Sequence, residues 1–334
     1  MTRTRLPLIT VGFSSHRLEV LPAAREEMAR HDAIALEEAP EVDFPALLAG
    51  DIAAADYLED KDIEFHDFSL RQLELVRGLS REGKAIFQVE PYQERLIQIH
   101  ELLSDGVPRE KVENRPEFKE VYAAESWASR TLITFYGVAH AAPFPRVVAA
   151  VKEFARSDAA RFRLRDNLRA QALAPLSGQF PRLYVEAGYI HLYLIKALAQ
   201  QLPHGVTLKP TYLLASPSYV AINRPRPLGP GDLLTLQYIF SGKISPEKEN
   251  LLAARSLIHI QLLEKGEMAP GADPAPHLAD EIQAYRLSGS LSYEDCAALY
   301  PQVRAAAPKE AVATVARYVE ERAGGAGKFF EGGG

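Results

Sequence analysis

Two histidines and a set of glutamates stand where apolar runs break off: His16 in GFSSH, Glu37 and Glu38 in AIALEE, Glu90 in FQVEPY, and His191 in GYIH. Imidazole nitrogens and carboxylate oxygens are the donors that suit Zn²⁺, Mn²⁺ or Co²⁺, and they are also groups that move protons. Both histidines follow a glycine, Gly12 or Gly188, which leaves the backbone room to fold each ring back. His191 opens a helical stretch, and the positive partial charge of a helix N-terminus favours a neutral ring able to bind metal. Successive strand residues point to opposite faces, so only one of Glu37 and Glu38 can face such a site.

The elements that must position these groups alternate in period. LPLITVGF, AIALEE, KAIFQVE and RLYVEAG read as strands, each followed by a segment of helical spacing: Leu18 to Arg30, Phe65 to Arg81 with Ser69 as a cap, Tyr92 to Leu103, and His191 to Leu202. Such alternation predicts an α/β fold with a mostly parallel central sheet flanked by helices, because parallel strands need long crossovers. Ligands in open α/β sheets bind at the C-terminal ends of the strands, where the histidines and glutamates stand.

The expected organisation is a core over 1–204 with a helical insert at about 105–175. A C-terminal α+β extension over 205–323 follows, and a Gly-rich loose tail at 324–334. Within the extension, prolines bracket TYLLA and LLTLQYIF, both read as strands or extended segments, and Glu247 to Gly266 reads as a buried helix.

Composition narrows the partners. A net charge of -6 with both signs interspersed speaks against nucleic acid. The single cysteine excludes an internal disulfide framework and a Cys-based zinc site. No apolar run approaches a membrane span and no secretory h-region opens the chain, so a cytoplasmic location is expected. A phosphate loop, a Gly-x-Gly-x-x-Gly turn and a Gly-x-Ser-x-Gly elbow are all missing. Nothing in the residues decides between a monomer and a homodimer.

Taken in order, five motifs resemble the TraB/Tiki superfamily, which includes erythromycin-esterase-like and ChaN-like proteins. They are GFSSH, AIALEE with Glu37, FQVE with Glu90, LRDNLRAQAL with Arg165 and Asn167, and GYIH. The resemblance covers roughly residues 6–202. Phe13 stands where esterase-like members carry Glu, and 205–320 has no counterpart.

The resemblance implies a metal-dependent hydrolase of amide or ester bonds, peptidase-like, acting on a peptide or small-molecule substrate. His16, His191 and Glu37 or Glu90 would hold a divalent Mn, Co or Zn with an open position for water, and the remaining carboxylate would act as general base. Arg165 would hold substrate or an oxyanion, with Glu38, Tyr92, Asn167 and Tyr189 around it. Two rival readings stay open. One is a haem or small-ligand binding protein using the same cleft, with Tyr92, Tyr184, Tyr189 or His191 as axial ligand. The other is a regulatory interaction protein.

Overall fold

The computed structural model describes residues 7–59, 61, 63–240 and 242–328, the last six of these by backbone alone. It divides into two compact units: Met1–Ser126, Ala160–Pro217 and Gly266–Pro274 form the first, and Trp127–Ala159, Ser218–Lys265 and Ala275–Gly334 the second. The division does not follow the expected boundary at 204.

In chain order the elements begin with β1 (Leu8–Ser14), α1 (Leu21–Ala29), β2 (Ala33–Leu36), α2 (Phe44–Ala49), α3 (Ala54–Leu58), α4 (His66–Arg81), β3 (Ala85–Gln88) and α5 (Pro91–Ser104). Next come α6 (Arg109–Glu113), α7 (Lys119–Ala139), α8 (Phe144–Leu173), β4 (Arg182–Gly188), α9 (Tyr193–Gln201) and β5 (Thr207–Tyr212). The remainder is helical: α10 (Ala215–Ile222), α11 (Pro230–Ile239), α12 (Pro246–Leu262), α13 (Pro276–Gly289), α14 (Tyr293–Val303) and α15 (Pro308–Lys328). The region expected as a helical insert carries α6 to α8, with 127–159 assigned to the second unit; α7 and α8 are separated at 140–143, a break that contains Pro143, and Pro145 lies in the first turn of α8.

The five strands form one parallel sheet in the order β3-β2-β4-β1-β5. Helical crossovers cover its central strands, and β2 (AIAL) is accordingly apolar throughout and buried at every residue. β4 enters late in the chain and inserts between β1 and β2, Ala35 pairing with Val185 on one side and Phe13 with Ala187 on the other. That insertion sets the C-terminal ends of β3, β2, β4 and β1 side by side, so Glu90, Glu37, His191 and His16 arrive at one edge. β5 lies outside β1 and carries Lys209 and Pro210, residues suited to an edge strand.

Several expectations need correction. LLTLQYIF is not extended: it lies mostly in α11, which opens on Pro230 and buries Leu234, Leu236 and Ile239. A short apolar run has no period long enough to tell helix from strand, and Pro in the first turn decides for helix. TYLLA contributes only its first residues to β5, the fifth strand of the main sheet. Ser69 is inside α4, whose first turn is instead satisfied by Glu267, its carboxylate accepting the N–H groups of Asp67 at 3.0 Å and Phe68 at 2.7 Å. In the expected tail, α15 continues to Lys328, and 329–334 lie outside the described residues.

The second unit is helical among the described residues and centres on an aliphatic core. Leu234, Leu252, Leu257, Ile258, Leu299 and Val315 are among its buried members, and Cys296 is buried there as a free thiol. No helix among the described residues is long and apolar enough to cross a membrane.

Candidate functional site

His191 lies in the turn between β4 and α9, its N–H bonded to the Gly188 carbonyl at 3.0 Å. Its ring is buried between two carboxylates: Nε2–H donates to Glu37 at 2.9 Å and Nδ1–H to Asp166 at 2.5 Å. Phe162 closes the remaining side edge-on, ring centroids 5.2 Å apart. Burial opposes a charged imidazole, but Glu37 and Asp166 outweigh it and raise the group to about 9. The expectation of a neutral ring is therefore corrected, because two hydrogen-bonded carboxylates exceed the influence of one helix end.

Glu37, one residue past β2, is the hub. Its Oε2 accepts the Gly188 N–H at 2.6 Å, and its carboxylate also meets Arg165 at 3.2 Å and Arg169 at 3.6 Å. Burial disfavours its charge, yet His191, Arg169 and Arg165 hold the carboxyl well below the usual range. Glu90, fully buried, lies 3.3 Å from Arg165 and 4.0 Å from Arg169. Arg169 is fixed in turn by donating Nε–H to the Val89 carbonyl at 2.9 Å.

Helical spacing explains how α8 supplies three of these groups. Leu164 and Leu168 pack into an apolar cluster with Ile99, Val112 and Val121, while Arg165, Asp166 and Arg169 meet the carboxylates and His191. Sequence reasoning named Arg165 and Asn167 in this segment. The structure brings in Arg165, and in place of Asn167 the neighbouring Asp166 and Arg169; Asn167 joins none of these contacts. A charged i, i+4 pair inside LRDNLRAQAL was the available signal.

His16 reaches the same place from the end of β1. Its backbone is left-handed, with φ 52, an uncommon state for a residue with a side chain. Its side chain is one-third exposed, and Nε2 stands 4.0 Å from Glu37 Oε2 and 4.0 Å from Glu186 Oε1. Glu186, on β4, was missed because it sits inside a strand instead of at its end. Its carboxylate accepts the Glu37 N–H at 3.1 Å and a hydrogen bond from Gln72. A charged residue on a buried apolar strand was the clue that could have found it.

The glycines have other reasons than the expected ones. A methyl on Gly12 would lie 2.0 Å from the Tyr184 hydroxyl, so the fully buried Tyr184 ring excludes any side chain there. On Gly188 a methyl would meet His16, His191 and Glu37 at 3.5, 3.6 and 3.7 Å, ordinary contacts that also show both rings flanking one point. The remaining expected residues lie apart from this cluster of side chains. Glu38 turns to Gln88, which donates to it at 2.9 Å, and burial raises its carboxyl to about 7. Tyr92 is buried and donates to Glu125 at 2.7 Å, and Tyr189 is half-buried in the turn after β4.

The structure brings His16, Glu37 and His191, the expected ligands, to one place. His191 spends both ring nitrogens on carboxylates, and no group of three or more His, Cys, Asp or Glu among the described residues is arranged to hold a metal ion. Of the candidate haem ligands, His191 directs both ring nitrogens to carboxylates and the Tyr92 hydroxyl is bound to Glu125, whereas the Tyr184 hydroxyl is buried without a hydrogen-bond partner among the described residues.

Comparison with known proteins gives one finding. The chain is similar to an uncharacterized protein of Archaeoglobus fulgidus, 29% identical over 297 residues that span 87% of this chain and 97% of that protein. No family model matches the chain. No solved structure matches it.

Proposed function

We propose that this protein hydrolyses an amide or ester bond at the C-terminal edge of its sheet, peptide bonds favoured over lactones, and that its likeness to TraB/Tiki proteins reflects this chemistry. The observation that carries the reading is His16: its Nε2 is buried, has no hydrogen-bond partner, and stands 4.0 Å from one oxygen each of Glu37 and Glu186. That separation is too long for a direct hydrogen bond and suits polar groups that share one water.

In this reading the water donates one hydrogen to His16 Nε2 and the other to a carboxylate, so His16 is the general base as water adds to the scissile carbonyl. The imidazolium that results faces Glu37 and Glu186. Arg165, Arg169 and His191 keep Glu37 ionised and in place for that step. The His16 imidazolium then returns that proton to the leaving atom, which closes the proton balance of the step. A divalent ion, if the resemblance extends to one, would add Lewis acidity beside His16, Glu37 and Glu186. The residues as placed do not make its ligand set, and the proton transfers described do not depend on it.

Wild type and His16→Ala, assayed on a panel of p-nitrophenyl esters and fluorogenic peptides with and without added Mn²⁺, Co²⁺ or Zn²⁺, test the reading. Hydrolysis should fall by about 10²–10⁴-fold in the variant while its circular dichroism stays that of the wild type. A variant as active as wild type, or a wild type that cleaves no member of the panel, overturns it.

A further inference from the structure

We propose that the second unit binds an amphipathic anion, a carboxylate or phosphate group on an apolar body, in a pocket formed by α11, α12 and α13. The pocket is a half-open cleft of about 320 Å³, at the lower end of the range of small-molecule sites. Leu228, Pro230, Leu233 and Leu252 supply an apolar wall, and Arg255 and Arg286 bring two guanidinium groups to the same space.

Neither arginine has a carboxylate within ion-pair distance among the described residues. Each is instead oriented by a backbone carbonyl: Arg255 Nε–H donates to Leu291 at 2.7 Å and Arg286 Nη2–H to Ala221 at 2.6 Å. A guanidinium carries five donors, so each keeps N–H groups beyond the one that fixes it. No acidic side chain is among the described residues that line the pocket. Asp232 accepts the Gly229 N–H at 3.1 Å, Asp280 accepts the Glu264 N–H at 2.9 Å, and burial pushes the Cys296 thiol up to about 12, leaving it neutral.

Two positive charges beside an aliphatic wall are complemented by a ligand that is anionic at one end and apolar along the rest. Carboxylate and phosphate heads share this chemistry, since both accept paired N–H bonds from arginine. The pocket includes none of the side chains of the sheet-edge cluster, so the inference stands or falls independently of the proposed hydrolysis.

Isothermal titration of the full chain with decanoate, decyl phosphate, decyltrimethylammonium and acetate is the test. Saturable binding with Kd below about 1 mM is expected for decanoate, decyl phosphate or both, and not for the cation of equal tail or for tail-less acetate. Which head binds identifies the source. Arg286→Gln, an exposed position, should weaken binding about tenfold or more, and Leu233→Trp should abolish it by filling the wall. Arg255→Gln adds a third variant, but the first two decide if it fails to fold. Absence of binding by either anion, equal binding of decyltrimethylammonium, or affinity unchanged in both Arg286→Gln and Leu233→Trp overturns the proposal.

Discussion

Both units bury some charged side chains, Arg226, His277 and Asp295 in the second, but they differ in what gathers at the centre. The second fills its interior with Leu, Ile, Val and Ala around α12, whereas the first, beside an equally apolar sheet, buries Glu90, Asp166, Arg169, Glu186 and His191. Aliphatic burial stabilises by removing surface from water, at roughly 25 cal/mol per Å². Buried charges carry a desolvation cost of several kcal/mol each, and pairing them does little better than break even against an apolar replacement. A sequence that keeps four carboxyl groups and three cationic side chains at one sheet edge is therefore not choosing the most stable interior. The difference separates a unit with an aliphatic centre from one with a charged cluster at its sheet edge.

Breaking the charged cluster should give the largest effect. Arg169→Met leaves Glu37 and Glu90 with one cation fewer and should cost about 3–5 kcal/mol in urea unfolding. Restoring the balance with Glu90→Leu in the same chain should recover at least about 1 kcal/mol, which an aliphatic deletion cannot show. In the second unit Leu257→Ala should cost about 2–5 kcal/mol, with no second substitution of a charge able to repair it. Equal non-repair in both units would erase the contrast.

Dependence on pH sharpens the same comparison. The folded His191 is raised from 6.5 to about 9, so its contribution, on the order of 3 kcal/mol, is complete below pH 6.5 and is lost as pH rises through 9. Glu38, raised from 4.5 to about 7, acts in the same direction at lower pH: its neutral buried form favours the fold below 4.5 and that advantage disappears through 7. Glu37 works oppositely, contributing stability above 4.5 that is lost on acidification through its depressed folded value. Urea midpoints from pH 6.5 to 10 should fall in the wild type and flatten in His191→Gln. A flat wild-type profile would contradict the buried imidazolium.

The smallest effect on stability belongs to Gly188→Ala. Its methyl would meet His16, His191 and Glu37 at ordinary contact distances, so unfolding should shift by less than about 1 kcal/mol. Hydrolysis should suffer more than stability, because that methyl stands among the groups that flank the proposed water. Activity measured beside the urea midpoint separates the two.

The fold class was legible because period is a local property: runs of two kinds alternate, and each parallel crossover leaves room for a helix. The residues of the edge were legible only where they ended strands. His16, Glu37, Glu90 and His191 come together as the strand order requires, with β4 inserting between β1 and β2. Glu186, Asp166 and Arg169 lie within regular elements, where one sequence does not tell a buried charge from a solvated one. The protonation of His191 was misjudged for the same reason: its partner Asp166 is 25 positions away, on another helix. α11 was misread because an eight-residue, largely apolar run such as LLTLQYIF fits either period.

Nitrogen-15 NMR titration of histidine-labelled protein, with His191 assigned by its loss in His191→Gln, bears most directly on the buried carboxylate–imidazolium–carboxylate chain. Glu37 and Asp166 require the His191 ring to keep both N–H protons through neutral pH and to titrate near 9. A ring that becomes neutral at or below pH 6.5, or that shows a single bound proton at pH 7, would contradict the account.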